Sequence, residues 1–129
     1  MIERTLVLIK PDGVQRAVVG RILSRFEDVG LKFSGMKMVW IDNAHAAKHY
    51  FDVEARRGKK VFDYNVNFLT EGPVLALVLE GIHAIEIVRK MVGSTEPKAA
   101  APGTIRGDFA HQSYSYADAN NMVIRNLIH

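Results

Sequence analysis

Cysteine is absent from this chain of 129 residues, which excludes disulfides and thiolate metal sites and makes the cytoplasm the default compartment. Long apolar runs are missing too, since no stretch approaches the roughly 18 uninterrupted apolar residues that a membrane span needs. The opening Met1-Ile2-Glu3-Arg4 runs directly into an apolar strand pattern without a small-residue cleavage site, so it does not read as a signal peptide. No G-x-x-x-x-G-K-[ST] loop occurs, which excludes the Walker type of phosphate cradle. There is also no aromatic-rich Lys/Arg-Gly-Phe/Tyr strand motif of the kind RNA-reading sheets use to stack bases, so nucleic acid is not expected as the primary partner. Neither charge sign dominates: 17 Lys and Arg against 14 Asp and Glu leave a formal +3. That balance suits polyanionic ligands without identifying them.

What is present is ordinary for a globular protein, with 48% hydrophobic and 24% charged residues. The length suits one domain with a real core, taken as residues 1–129. Thr5-Leu6-Val7-Leu8-Ile9 reads as a strand buried on both faces, ended by a turn at Lys10-Pro11-Asp12-Gly13. Val19, Ile22, Leu23, Phe26 and Val29 have helical spacing, with Gly30 placed to close the helix. Phe33, Met36, Met38 and Trp40 suggest a second strand, and Asp42 or Asn43 can cap a helix through Tyr50. Val61 to Leu69 reads as a helix broken by Gly72-Pro73, and Val74 to Leu79 is the strongest buried-strand signal. Ala84, Ile85, Val88, Met91 and Val92 give an amphipathic helix. Gly93 to Asn121 reads as a long irregular excursion, and Met122 to Ile128 as a last strand. The order β-α-β-α-α-β-α-β predicts an α+β, ferredoxin-like split βαβ sandwich: a four-stranded antiparallel sheet with helices and a long loop before the last strand.

Three segments hold the chemistry. Lys10, at a strand end beside Pro11-Asp12-Gly13, reads as a phosphate clamp or as a solvated lysine on a turn. Pro102-Gly103-Thr104-Ile105-Arg106-Gly107-Asp108 is a constrained loop that either presents Arg106 to phosphate oxygens or pairs it with Asp108. In Arg125-Asn126-Leu127-Ile128-His129, the histidine titrates near neutrality and suits nucleophilic or proton-transfer work. His45 and His49 stand four apart on one predicted helix, a metal-binding spacing without an evident third ligand, so solvent or core packing is the simpler reading. His83 reads as a cap or an exposed residue, and nothing supports a role for His111. Arg56-Arg57-Gly58-Lys59-Lys60 is either a solvated loop or a basic patch that steers anions.

Taken in order, the strand followed by Lys-Pro-Asp-Gly-Val-Gln-Arg, then Glu-Gly-Pro-Val, Pro-Gly-Thr-Ile-Arg-Gly-Asp and Asn-Leu-Ile-His resembles the nucleoside diphosphate kinase family. The resemblance runs from Arg4 to Asp108 without large gaps and resumes at Arg125. It implies ping-pong transfer of a γ-phosphoryl group from a nucleoside triphosphate such as ATP to a nucleoside diphosphate, through a phosphohistidine at His129. By the same resemblance Lys10 reaches the transferring phosphate and ribose, Tyr50 stands beside the catalytic imidazole, and Arg89, Thr95 and Arg106 hold the outer phosphates. Asn126 contacts the ribose, and Val61 and Phe62 occupy the base-stacking region. The resemblance further implies Mg2+ carried by the nucleotide phosphates without a dedicated protein cage, and a homo-oligomer, hexamer or tetramer.

The chain departs from the family pattern at several places. Val61-Phe62 stands where two phenylalanines are usual, and Asn65 replaces an aliphatic residue. His111 to Met122 looks like an insertion of about ten residues in an already long loop. The Gly-Ser-Asp and tail that follow the family histidine lie outside the sequence, including a glutamate that orients the ring. A carboxylate directly on His129 would favour the imidazolium and repel a triphosphate, so the functional polypeptide is expected to extend beyond it. An inactive nucleotide-binding or assembly subunit is the competing expectation.

Overall fold

Three strands carry the structure, a computed structural model that describes residues 1–129. They are β1 (Ile2–Ile9), β2 (Lys32–Val39) and β3 (Val74–Ile82), in the order β1-β3-β2. Both outer strands run antiparallel to β3, so β1 and β2 are parallel to each other across it. The register sets Val7 against Leu77 and Ile9 against Leu75, which puts these alternate residues on one face.

Helices α1 (Pro11–Gln15) and α2 (Val19–Asp28) join β1 to β2, and α3 (Asn43–His49), α4 (Val53–Arg57) and α5 (Lys59–Leu69) lie between β2 and β3. After β3 come α6 (Ala84–Val92), a 3-10 turn (Pro97–Ala99), α7 (Ile105–Phe109) and α8 (Tyr114–Ala119). Val7, Ile9, Leu77 and Leu79 meet Ile22 and Phe26 of α2, Val88 of α6 and Ile128 in the main core. Leu8 and Val74, on the opposite face, pack against Ala46, Tyr50, Val53, Val66 and Leu69. Each Val, Leu, Ile or Phe among them contributes about 1.5–3 kcal/mol when fully removed from water. The helix ends follow local chemistry: Asp42 caps α3 by accepting His45 N–H at 2.8 Å, and Gly30, at φ +84°, lets the chain leave α2.

The sheet has three strands, not the four expected. Met122 to Ile128 is not a strand; it meets β1 only through an Ile9–Ile128 antiparallel bridge. The cause is local. Leu127 has φ +74° and Ile128 N–H bonds Asn126 C=O at 2.9 Å, a γ-turn that an extended chain cannot contain. Other expectations are also revised. Leu6 is 58% exposed, so β1 is buried on both faces only at Val7–Ile9. The turn after β1 is the short helix α1, with Pro11 at its first position, where a missing N–H costs nothing. The excursion from Gly93 contains α7 and α8, both capped by hydroxyls, Thr104 and Ser113.

Candidate active site

The end of β1, the start of α1 and the last four residues converge at one point. Lys10 N–H bonds Leu127 C=O, and Leu8 and His129 exchange N–H···O=C bonds, all at 2.8 Å. This close approach needs Gly13: a Cβ there would lie 2.8 Å from the Ile9 side chain and 3.0 Å from Leu127 C=O. The Lys-Pro-Asp-Gly string therefore serves as the seat for the segment that ends in His129.

The His129 ring opens onto a cleft of about 680 Å³. His49 meets it edge to face with centroids 4.4 Å apart, and the Tyr50 ring lies 5.9 Å away. Burial against these walls pushes the His129 pKa down to about 4, with the charges of His49, Lys10 and Arg106 acting in the same direction. The imidazole is therefore neutral at physiological pH, with a lone pair free for attack. Burial likewise raises the Tyr50 phenol to about 12, aided by Asp12 and opposed by Arg106, so it keeps its proton. His49 is also held below its usual range, first by burial and then by Lys10.

Cations surround the ring. Lys10 is 4% exposed and lies 5.7 Å over the Phe68 ring; burial lowers its pKa to about 8, so it stays mainly charged at neutrality. Arg106 does not pair with Asp108, which binds Arg25 at 2.6 Å instead. It turns inward and donates to the carbonyls of Asn126 (3.2 Å), Gly93 (3.1 Å) and Ile128 (2.5 Å). A guanidinium has more N–H groups than these bonds use, so Arg106 can brace the His129 segment and still face an anion. Thr104 sets up this inward turn by accepting Gly107 N–H at 3.0 Å and donating to Ala101 C=O at 2.6 Å. Arg89 is exposed on the cleft rim and makes no protein ion pair, and Thr95 lines the same side. Asn126 donates to Thr95 C=O at 2.8 Å, while its buried Oδ1 has no partner.

The structure thus brings His129, Lys10, Tyr50, Val61, Arg89, Thr95, Arg106 and Asn126 to one cleft. Phe62 is the exception. On α5, successive side chains point about 100° apart, and while Val61 reaches the cleft, Phe62 packs against the second core without lining it. Tyr64 and Asn65 complete that wall, and Asn65 spends its amide on Val61 C=O at 2.9 Å. Tyr114, Ala117 and Asp118, from the segment 111–122, line the cleft as well. The basic run is engaged by neighbours. Arg56 pairs with Asp52, Lys59 with Asp63, Arg57 lies over the Tyr114 ring, and Lys60 donates to Asn121.

Two residues of the site escaped sequence reasoning. The sequence offers His45 and His49 as a metal-spacing pair or as solvent-facing or packed side chains, yet the two diverge: His45 bonds Asp42 at 2.8 Å, and His49 turns onto His129. Its place in the last turn of α3, next to Tyr50, was the available signal. Asp12 reads in the sequence as a turn residue. It is buried, and its carboxylate accepts Leu127 N–H at 3.0 Å.

A histidine opening onto a cleft that a lysine and arginines also line, on an α+β antiparallel frame, defines a class of phosphate-handling protein. The family model described as nucleoside diphosphate kinase matches residues 3–129. A nucleoside diphosphate kinase of Pyrococcus furiosus is 56% identical over 108 residues, covering 84% of this chain and 65% of that one. One from Borreliella burgdorferi is 44% identical over 131 residues, covering 100% of this chain and 78% of its own. A solved structure described as a transition state mimic of nucleoside-diphosphate kinase from Borrelia burgdorferi, with bound vanadate and ADP, superposes with TM-score 0.95. Its identity is 45%, over 99% of this chain and 77% of that one. The chain belongs to the nucleoside diphosphate kinase family.

Proposed function

We propose that the chain transfers the γ-phosphoryl group of a nucleoside triphosphate to a nucleoside diphosphate, with His129 as the covalent relay. The observation that carries this reading is the His129 ring opening onto the cleft that Lys10, Arg89 and Arg106 also line. In the first half-reaction a ring nitrogen lone pair attacks the γ-phosphorus. The N–P bond forms as the P–O bond to the leaving diphosphate breaks. In the second, a terminal oxygen of another nucleoside diphosphate attacks the same phosphorus and the N–P bond breaks. Both steps pass through a transition state with charge spread over phosphoryl oxygens, which fixed cations stabilise. Lys10 and Arg106 are set beside the ring for that role, and Arg89 and Thr95 on the rim suit the outer phosphates. The unpartnered Asn126 Oδ1 is an acceptor suited to a ribose hydroxyl. Val61, Tyr64 and Tyr114 line the same cleft and are the side chains suited to the base.

Magnesium enters in this reading with the nucleotide, as part of the substrate. The cleft's charged groups near His129 are mainly cations, a donor set that suits phosphate oxygens better than a bare Mg2+. Bound across phosphate oxygens, the ion neutralises charge on the group being moved.

We also read the protein as a cytoplasmic homo-oligomer on a ferredoxin-like frame. The split arrangement of β1 and β2 about β3 supports the frame. Met36 and Met38, uncovered on the outer strand β2, support burial against another copy. No helix is long and apolar enough to cross a membrane. A direct test of function supplies γ-labelled ATP and unlabelled GDP with Mg2+. Labelled GTP and parallel double-reciprocal lines are expected, and label that never leaves ATP would exclude the reading.

A further inference from the structure

We propose that Asp12 is a positioning residue with two separable jobs: one carboxylate oxygen fixes the γ-turn that carries His129, and its charge supports the Lys10 ammonium without touching it. The inference rests on the phosphotransfer reading above.

The first job is visible in the geometry. Leu127 holds φ +74°, a strained conformation for a non-glycine residue that persists only where its surroundings impose it. Asp12 Oδ2 accepts the N–H of that same residue at 3.0 Å, across 115 positions of sequence. The turn comes directly before the Ile9–Ile128 bridge and the paired Leu8–His129 hydrogen bonds, so it sets where the His129 ring stands.

The second job follows from what Asp12 does not do. It is 3% exposed, and its Oδ1 is buried without a partner. A buried carboxylate oxygen left unpaired is costly, and a lysine two residues away is the obvious partner. Yet the Lys10 ammonium forms no ion pair with any carboxylate. A contact pair would occupy its N–H groups; a carboxylate held further off leaves them for phosphate oxygens while still favouring the charged form. The support is needed, because every other titratable group facing Lys10 opposes its charge or leaves it unaided. Arg106 lies on the α7 side, His49 on α3 and His129 at the chain end. Phe68 on α5 offers a ring face that Arg125 shares. Burial and Arg106 push the Lys10 pKa down to about 8, and Asp12 alone pushes it up.

Asparagine separates the two jobs, since its Oδ1 can still accept Leu127 N–H but carries no charge. The experiment measures phosphoenzyme formation at subsaturating labelled ATP across pH for the wild type, Asp12→Asn and Asp12→Ala. It also records the titration of the Lys10 ammonium by NMR. In Asp12→Asn the alkaline limb of the rate and the Lys10 titration are expected to move down together by about one pH unit or more, with labelling recovering as pH falls. Asp12→Ala is expected to label slowly at every pH. An unmoved alkaline limb and Lys10 titration in Asp12→Asn would overturn the electrostatic job, and wild-type labelling by Asp12→Ala would overturn the turn-fixing job. Should neither variant fold, Asp12→Glu decides, since it keeps the charge and displaces the acceptor oxygen: slowed labelling with an unmoved Lys10 titration supports the two jobs, and wild-type labelling contradicts the turn-fixing one. A wild type that never forms a phosphoenzyme defeats the phosphotransfer reading instead, and the NMR titration still stands apart from it.

Discussion

The imidazoles of His49 and His129 meet edge to face, 4.4 Å between centroids with planes at 65°. Two ionisable rings so close cannot both protonate without repulsion, and burial already disfavours the charged form of each. His129 therefore stays a neutral base well below the usual histidine range, while Lys10 loses its proton above about 8. The signs give a window: the nucleophile fails only as pH falls towards about 4, and the phosphate clamp weakens as pH rises through about 8. The rate of phosphoenzyme formation at low ATP should be flat between these limits. An acid limb near the ordinary histidine value of about 6.5 would contradict the burial of the ring.

Val61 gives the base region an aliphatic wall in place of a flat ring. Val61→Phe should tighten ADP binding by about 0.5–1.5 kcal/mol, the contribution of aromatic stacking beyond area burial. That is roughly a two- to twelve-fold lower Kd by calorimetry. Unchanged affinity would mean that Val61 does not face the base, or that Tyr64 or Tyr114 already supplies the stack.

Gly107 is fixed by space. A Cβ there would lie 2.0 Å from Ala101 C=O and 2.8 Å from Thr104 Oγ1, so Gly107→Ala must push apart the loop that turns Arg106 inward. A loss of about 1–3 kcal/mol is expected from thermal or urea unfolding, with labelling reduced further than stability alone explains. A fully active, equally stable variant would show that the loop is not rigid.

Arg57 lines the cleft and stacks on Tyr114 at 5.4 Å, whereas Lys59 pairs with Asp63 away from it. If the basic run steers nucleotide, Arg57→Ala should slow ATP association at low salt and matter little at high salt, because screening acts over about 8 Å at physiological ionic strength. Lys59→Ala should do neither. Stopped-flow association rates at two salt concentrations separate them, and equal effects would leave the run a plain solvated surface.

The parts of this protein legible in its sequence were those with local causes. The α2 and α6 stripes, the Asp42 cap and the Gly30 exit are written in adjacent residues and are present, except that Val29 and Ile85 leave their stripes for solvent. The convergence of Lys10, Arg106, Asn126 and His129 was legible through motif order. What stayed hidden depends on contacts distant in sequence. The positive φ of Leu127, which leaves a bridge where a fourth strand was expected, is set by Asp12 and Arg106 from far along the chain. The turn of Arg106 away from Asp108 depends on Arg25 in the same way. Short helices such as α7 and α8 carry too few apolar positions for periodicity to reveal them.

His129 is the residue proposed to carry the phosphoryl group. Incubation with γ-labelled ATP and Mg2+, followed by peptide mapping, should give an acid-labile, alkali-stable label on the peptide containing His129. His129→Asn, folded by circular dichroism, should carry none. Wild-type labelling in that variant, or a label found on another residue, would contradict the account.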